Sequence, residues 1–333
     1  MATETHKRQI NARSTGADGR ALLEFERKRL ALFAHRGFEG ESQWVTDRRG
    51  RRVYLIRGGH GLRPTVLIHG GLSEAGIWCP LAGRLAGDLV IPDRPGCGLS
   101  YRIDYRRVGD YRGAAVDWLL DVVDALGVDE IDLVGSSMGG FFSIAFALAH
   151  PGRVRRLGLV GAPAGLDRRA PLFVRLWGSP ITGPLITRMG ITDPEELRSR
   201  VFARLLVARP EAVPLDYLET ALAARMLPGA GRAAQTMLRS FLTLRGVRRE
   251  ILVRESMVGL PVPTLFVWGD SDKFASPSSG RELAARMPDA RVEAIAGAGH
   301  LPWFDRLEAV ATALGDFLAG EASDRQPRQP ATP

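Results

Sequence analysis

Only two cysteines, Cys79 and Cys97, occur in the 333 residues, too few for a disulfide framework or a thiolate metal site, and reduced thiols are expected. Histidine is sparse as well: six residues without an HxxxH pair leave no metal-binding pattern. No run of about 18 apolar residues is present, which excludes a membrane-spanning helix. The first 20 residues, Met1 to Arg20, carry no apolar segment of signal-peptide length. A cytoplasmic protein without stable membrane insertion is therefore expected. A dinucleotide fingerprint is missing too, because Gly96-Cys97-Gly98 lacks the third glycine and follows a proline turn instead of opening a helix. No cofactor is expected. Lysine is nearly absent, with Lys7, Lys28 and Lys273 the three among 45 basic residues. The net charge of +8 is thus carried by arginines spread along the chain among acidic residues, a compositional preference that points to no nucleic-acid partner, although Arg48-Arg49, Arg51-Arg52 and Arg168-Arg169 are local clusters.

What is present fits one large α/β domain with an inserted subdomain. Hydrophobic residues make up 45% and charged residues 25%, ordinary values for a globular chain that buries a sizeable core. Residues 1–18 and 319–333 are polar, without periodicity, and read as flexible tails. Apolar residues at helical spacing predict a helix between Gly19 and Phe38, and Gln43 to Thr46 with Arg52 to Ile56 predict a hairpin. Short apolar runs follow at Thr65 to Ile68, Leu89 to Ile91, Ile131 to Val134, Leu157 to Val160, Thr264 to Trp268 and Val292 to Ile295. Between most of them lie helical segments: Trp78 to Ala86, Tyr111 to Leu126, Phe141 to Ala149, Gly280 to Met287 and Arg306 to Leu318. Apolar strands alternating with amphipathic helices predict a mostly parallel sheet covered on both faces. The interval 162–249 shows no strand signal, is too long for one crossover and is punctuated by prolines, so it is expected to form a helical cap on a core of residues 19–161 and 250–318.

Gly135-Ser136-Ser137-Met138-Gly139 places a GxSxG motif between an apolar run and an apolar helix. A serine on so sharp a strand-to-helix turn exposes its hydroxyl above the sheet, and the glycines let strand and helix pass closely. Serine is a poor nucleophile at neutral pH, so it needs a histidine to take its proton and an acid to orient that histidine. Downstream, Gly269-Asp270-Ser271-Asp272-Lys273 follows one strand and Gly297-Ala298-Gly299-His300 follows the next, at the carboxyl ends where sites of such sheets form. Ser136 is a second hydroxyl, off the motif register, and Asp270 competes with Asp272 for the acid.

These motifs, with His69-Gly70-Gly71 and Pro92-Asp93-Arg94-Pro95-Gly96-Cys97-Gly98-Leu99-Ser100, resemble in kind and order those of α/β-hydrolase fold enzymes with a helical cap. The resemblance covers approximately residues 43 to 318. It implies Ser137 as nucleophile, His300 as general base and acid, Asp272 as orienting carboxylate, and the backbone N–H groups of Gly71 and Met138 as oxyanion donors. Some members take their acid from a position such as Asp167. His69 is expected to pin the oxyanion loop. A serine at position 137 speaks against epoxide hydrolases and haloalkane dehalogenases, which use aspartate. The leading expectation is hydrolysis of an ester or lactone of a hydrophobic small molecule through an acyl-enzyme. Carbon–carbon hydrolases of ring-cleavage products are the alternative, although they usually carry asparagine where this chain has Ser136. A ligand-binding protein without turnover is the third reading. Leu172, Phe173, Val174, Leu176, Trp177, Ile181, Leu185, Ile186 and Met189 are candidates to line the substrate space from the cap, with Trp303 and Phe304 opposite. Oligomeric state is not encoded in any of these patterns.

Overall fold

The computed structural model describes residues 17–188 and 190–320. Most of both expected tails, and Met189, lie outside the described residues. The chain opens with helix α1 (Ala17–Ala34), then strands β1 (Gly40–Thr46), β2 (Arg52–Gly58), β3 (Pro64–Ile68), β4 (Asp88–Pro92), β5 (Ile131–Ser136) and β6 (Val154–Val160), then a long interval, and finally β9 (Thr264–Gly269) and β10 (Ala290–Ile295). A two-residue ribbon, β7 (Leu242–Thr243) and β8 (Gly246–Val247), sits within that interval.

The main sheet has eight strands in the order β1-β2-β4-β3-β5-β6-β9-β10. β1 and β2 form the antiparallel hairpin, β2 pairs antiparallel with β4, and every later neighbour is parallel. Side chains alternate between two cores. Ile131 and Leu133 of β5 and Phe266 and Trp268 of β9 belong to one, whereas Val134, Leu265 and Val267 belong to the other. That two-residue period with apolar residues at both phases is what a sheet covered on both faces requires.

Two expected elements are shorter than their periodicity suggests. The segment at Trp78 to Ala86 is a 3-10 turn, Ala75–Trp78, and a single helical turn, Cys79–Ala82. It stops where Gly83 meets the turn after α1, and a Cβ there would lie 1.8 Å from the Arg36 carbonyl. The first helix likewise ends at Ala34, before Gly37 with φ +78°. The ribbon β7–β8 is an addition in an interval with no strand signal. Otherwise this interval holds the helices Leu172–Gly178, Thr182–Arg188, Pro194–Leu197, Leu215–Met226 and Ala230–Phe241 and a π-helix, Arg198–Leu206. No described helix is long and apolar enough to cross a membrane.

Many arginines are consumed in structure. Arg57 pairs with Asp88 and Arg155 with Asp132, each at 2.6 Å. Arg29, fully buried on α1, bonds Glu74 and Asp93 at 2.8 Å. Asp93 also accepts from the Ala75 and Leu99 amides, so α1 is tied to the loop after β3. Burial, with Arg29 opposing it, raises the Glu74 carboxyl above its ordinary range.

Candidate active site

From Ile131 to Ala147 every residue is buried except Ser137. The turn from β5 into the helix Met138–Ala149 holds Ser137 at φ 52° and ψ −115°, a region that costs a non-glycine residue free energy and persists where surrounding structure enforces it. The enforcement is close packing. A Cβ on Gly135 would stand 2.6 Å from the Gly139 carbonyl, and one on Gly139 would stand 2.0 Å from the Ile68 carbonyl. The motif glycines therefore let β3, β5 and the helix converge under the serine. Ser136, by contrast, is fully buried with its hydroxyl unpartnered, away from the cavity.

His300 lies on the loop after β10 and is 2% exposed. Its Nδ1 is 2.9 Å from Asp272 Oδ2 and 3.1 Å from Oδ1. A carboxylate only accepts, so Nδ1 carries a proton, and the tautomer that does so has its lone pair on Nε2. Nε2 is buried and has no hydrogen-bond partner. Asp272 is itself held by the Ala162 amide at 2.9 Å and the Phe274 amide at 2.8 Å, and the Phe274 ring stacks on the imidazole at 4.1 Å. Asp270, two residues earlier, turns outward and accepts from the Gly297 amide, which with Ser271 lowers its carboxyl pKa. Asp167 accepts from the Ser279 hydroxyl at 2.6 Å and faces Arg254. Of the three acids, Asp272 is the one bonded to His300.

Ser137 and His300 line one cavity of about 330 Å³, together with Gly70, Gly71 and Met138. A Cβ on Gly70 would be 3.3 Å from Ser137 Cβ, so the loop after β3 runs against the serine. Met138 is the first residue of its helix, where the N–H has no intrahelical acceptor. His69 is spent on this loop: its Nδ1–H donates to the Gly70 carbonyl and its Nε2 accepts from the Arg94 amide, both at 2.9 Å. Burial, reinforced by Arg94, drives its pKa well below the usual value, so it stays neutral.

The cavity walls are mainly apolar. Phe173, Val174 and Trp177 contribute from the long interval, whereas Leu172, Ile181 and Leu185 point outward and are exposed. Trp303 is not on the wall. Its ring stacks on Trp78 at 4.8 Å and its Nε1 donates to the Ile77 carbonyl, which makes it core. Phe304 is likewise buried, against Tyr217 at 4.9 Å. Among the described residues, no three His, Cys, Asp or Glu side chains gather where a metal ion could be held.

Three residues to which the sequence assigned no role also shape the site. Arg94, buried, bonds the His69 and Gly70 carbonyls. Asp305 accepts from the amides of Ala208, Arg209 and Gly299, joining the histidine loop to the segment that follows the π-helix. Arg225 lines the cavity, its guanidinium 5.7 Å from the Trp177 ring, and burial lowers its pKa. Gly161 completes the support: with φ +72°, it would place a Cβ 2.2 Å from the His300 carbonyl. Gly161→Ala is expected to displace that loop and lower kcat by about 10- to 100-fold, the usual result of an ångström-scale misplacement. Steady-state kinetics on a folded variant checks this.

A model of the alpha/beta hydrolase fold matches residues 64–307. A 2-hydroxymuconate semialdehyde hydrolase from Pseudomonas putida is 30% identical over 280 residues, 81% of this chain and 92% of the relative. A pimeloyl-[acyl-carrier protein] methyl ester esterase from Xanthomonas campestris is 28% identical over 272 residues, 78% of this chain and 96% of that one. Among solved structures, a carboxylesterase from Bacillus subtilis superposes with a TM-score of 0.69 at 21% identity, covering 91% of this chain and 99% of its own. The parallel sheet, the strained serine turn after its fifth strand and these matches agree, and the chain belongs to the alpha/beta hydrolase fold family.

Proposed function

We propose that this protein is a serine hydrolase that cleaves an ester or lactone bond of a hydrophobic small molecule through an acyl-enzyme, with residues 162–249 acting as a cap over the site. The observation that carries the reading is the unpartnered Nε2 of a buried His300, oriented by Asp272, in the same apolar cavity as Ser137. In this mechanism Ser137 Oγ attacks the carbonyl carbon while His300 Nε2 takes the hydroxyl proton, and the Ser137–His300 hydrogen bond closes as substrate binds. The oxyanion is received by the N–H groups of Gly71 and Met138. His300 then returns the proton to the leaving alkoxide, and water repeats the sequence on the acyl-enzyme. Asp272 stays ionised and stabilises the imidazolium.

Carbon–carbon bond hydrolysis of a ring-cleavage product is the second reading, and the 30% identical semialdehyde hydrolase favours it. The methyl ester esterase favours the first. A substrate panel of p-nitrophenyl esters of rising chain length, lactones and a ring-cleavage dienoate separates them. Turnover of esters or lactones, lost in Ser137→Ala, is expected. Turnover of the dienoate alone would move the assignment to the second reading, and no turnover with no labelling by a fluorophosphonate would point to a ligand-binding protein.

A further inference from the structure

We propose that the outer face of the helical hairpin Leu172–Gly178 and Thr182–Arg188, with the tip of the β7–β8 ribbon, docks on an anionic lipid bilayer. Charge is segregated here as nowhere else in the described chain's long interval. Residues 168–192 contain four arginines and no aspartate or glutamate, and residues 220–249 contain six arginines and no acid. Of the bordering acids, Asp167 faces Arg254 at 3.5 Å and Glu219 faces Lys28 at 3.3 Å, both outside these segments, while Glu250 pairs with Arg248 at 3.8 Å. Arg168, Arg169, Arg188 and Arg245 are exposed, and no ion pair holds them among the described residues.

Between these cations stand large apolar side chains in water: Leu172 is 59%, Ile181 84%, Leu185 60% and Leu244 60% exposed. They belong to one connected surface. Trp177 Nε1 donates to Thr187 Oγ1 at 3.1 Å across the hairpin, and Arg175 Nη1 donates to the Leu244 carbonyl at 2.8 Å, bringing the ribbon tip against the first helix. Leu185 and Arg188 are three residues apart, a spacing that places neighbours on one helical face, and Ile181 stands in the turn immediately before that helix. An acidic protein or a nucleic acid would satisfy the arginines and leave the leucines in water. A bilayer satisfies both, because headgroup phosphates meet the cations while leucine and isoleucine enter the acyl boundary. Phe173 is both exposed and part of the cavity wall, so the docked face adjoins the route to Ser137. Docking of this kind is peripheral and needs no spanning helix.

The test uses the full chain with vesicles of phosphatidylcholine alone or with about a third replaced by phosphatidylglycerol, and its binding readout needs no substrate. Co-sedimentation with the anionic vesicles, weakened by salt, and little with the neutral ones is expected. The double variants Ile181→Asp with Leu185→Asp, and Arg168→Glu with Arg188→Glu, should each lower the vesicle partition coefficient about 10-fold or more. Their circular dichroism and their kcat/KM on a short-chain water-soluble ester should match the parent. Absence of vesicle binding, equal binding to both vesicle types, or variants that bind like the parent would overturn the proposal. So would retention on an immobilised acidic protein without vesicle binding.

Discussion

Replacing Ser137 with alanine is expected to lower kcat/KM on any ester substrate by about 10⁵- to 10⁶-fold, leaving only what binding and the oxyanion donors supply. The size follows from the route. Without Oγ no acyl-enzyme forms, and water must attack a carbonyl seated in a cavity shaped for another nucleophile. Stability should change little or improve, since alanine removes a partly exposed hydroxyl while the strained backbone at φ 52° remains. The checks are steady-state kinetics of parent and variant, with intact-protein mass after fluorophosphonate treatment showing one adduct on the parent and none on Ser137→Ala. A loss smaller than about 10²-fold would show that another group supplies the nucleophile.

Asp272→Asn is expected to lower kcat by about 10⁴-fold while the variant stays folded. An amide at this position can donate to Nδ1, which turns the imidazole into the tautomer with its proton on Nε2, where it can no longer accept one from Ser137. The loss of charge also leaves the imidazolium uncompensated in a buried place, because His300 and Asp272 are almost fully enclosed there. Asp270→Asn and Asp167→Asn provide the contrast, each expected within about tenfold of the parent because neither carboxylate bonds His300. Equal losses in all three variants would indicate a general structural effect and count against Asp272 as the orienting acid.

Much of the architecture could be read from the letters. The apolar runs at 65–68, 131–134 and 264–268 are strands because each is long enough only for a strand and apolar at both phases, which a sheet with two covered faces demands. The serine turn was legible for a similar reason: its glycines answer a local steric need, the crossing of strand and helix, and such needs leave marks at fixed spacing. The two aspartates of the Gly269 to Lys273 turn were not separable in that way. They are two residues apart in the same turn, and one faces His300 while the other caps the Gly297 loop.

The same limit explains the two tryptophans. Trp177 and Trp303 both sit in apolar surroundings, yet the first borders the cavity and the second is stacked on Trp78 in the core. Asp305 and Arg225 have no motif around them, because their partners are backbone groups and a ring brought near by folding, and the motif that contains Arg94 does not show that its side chain reaches the His69 and Gly70 carbonyls. By itself the sequence determined the order of strands and helices, the serine turn and the family to which the chain belongs, since periodicity and glycine spacing record contacts made within a few residues. Only the tertiary structure decided which aromatic ring borders the cavity and which apolar side chains of the long interval face outward, because those outcomes depend on segments far apart in the chain that come into contact after the sheet has formed.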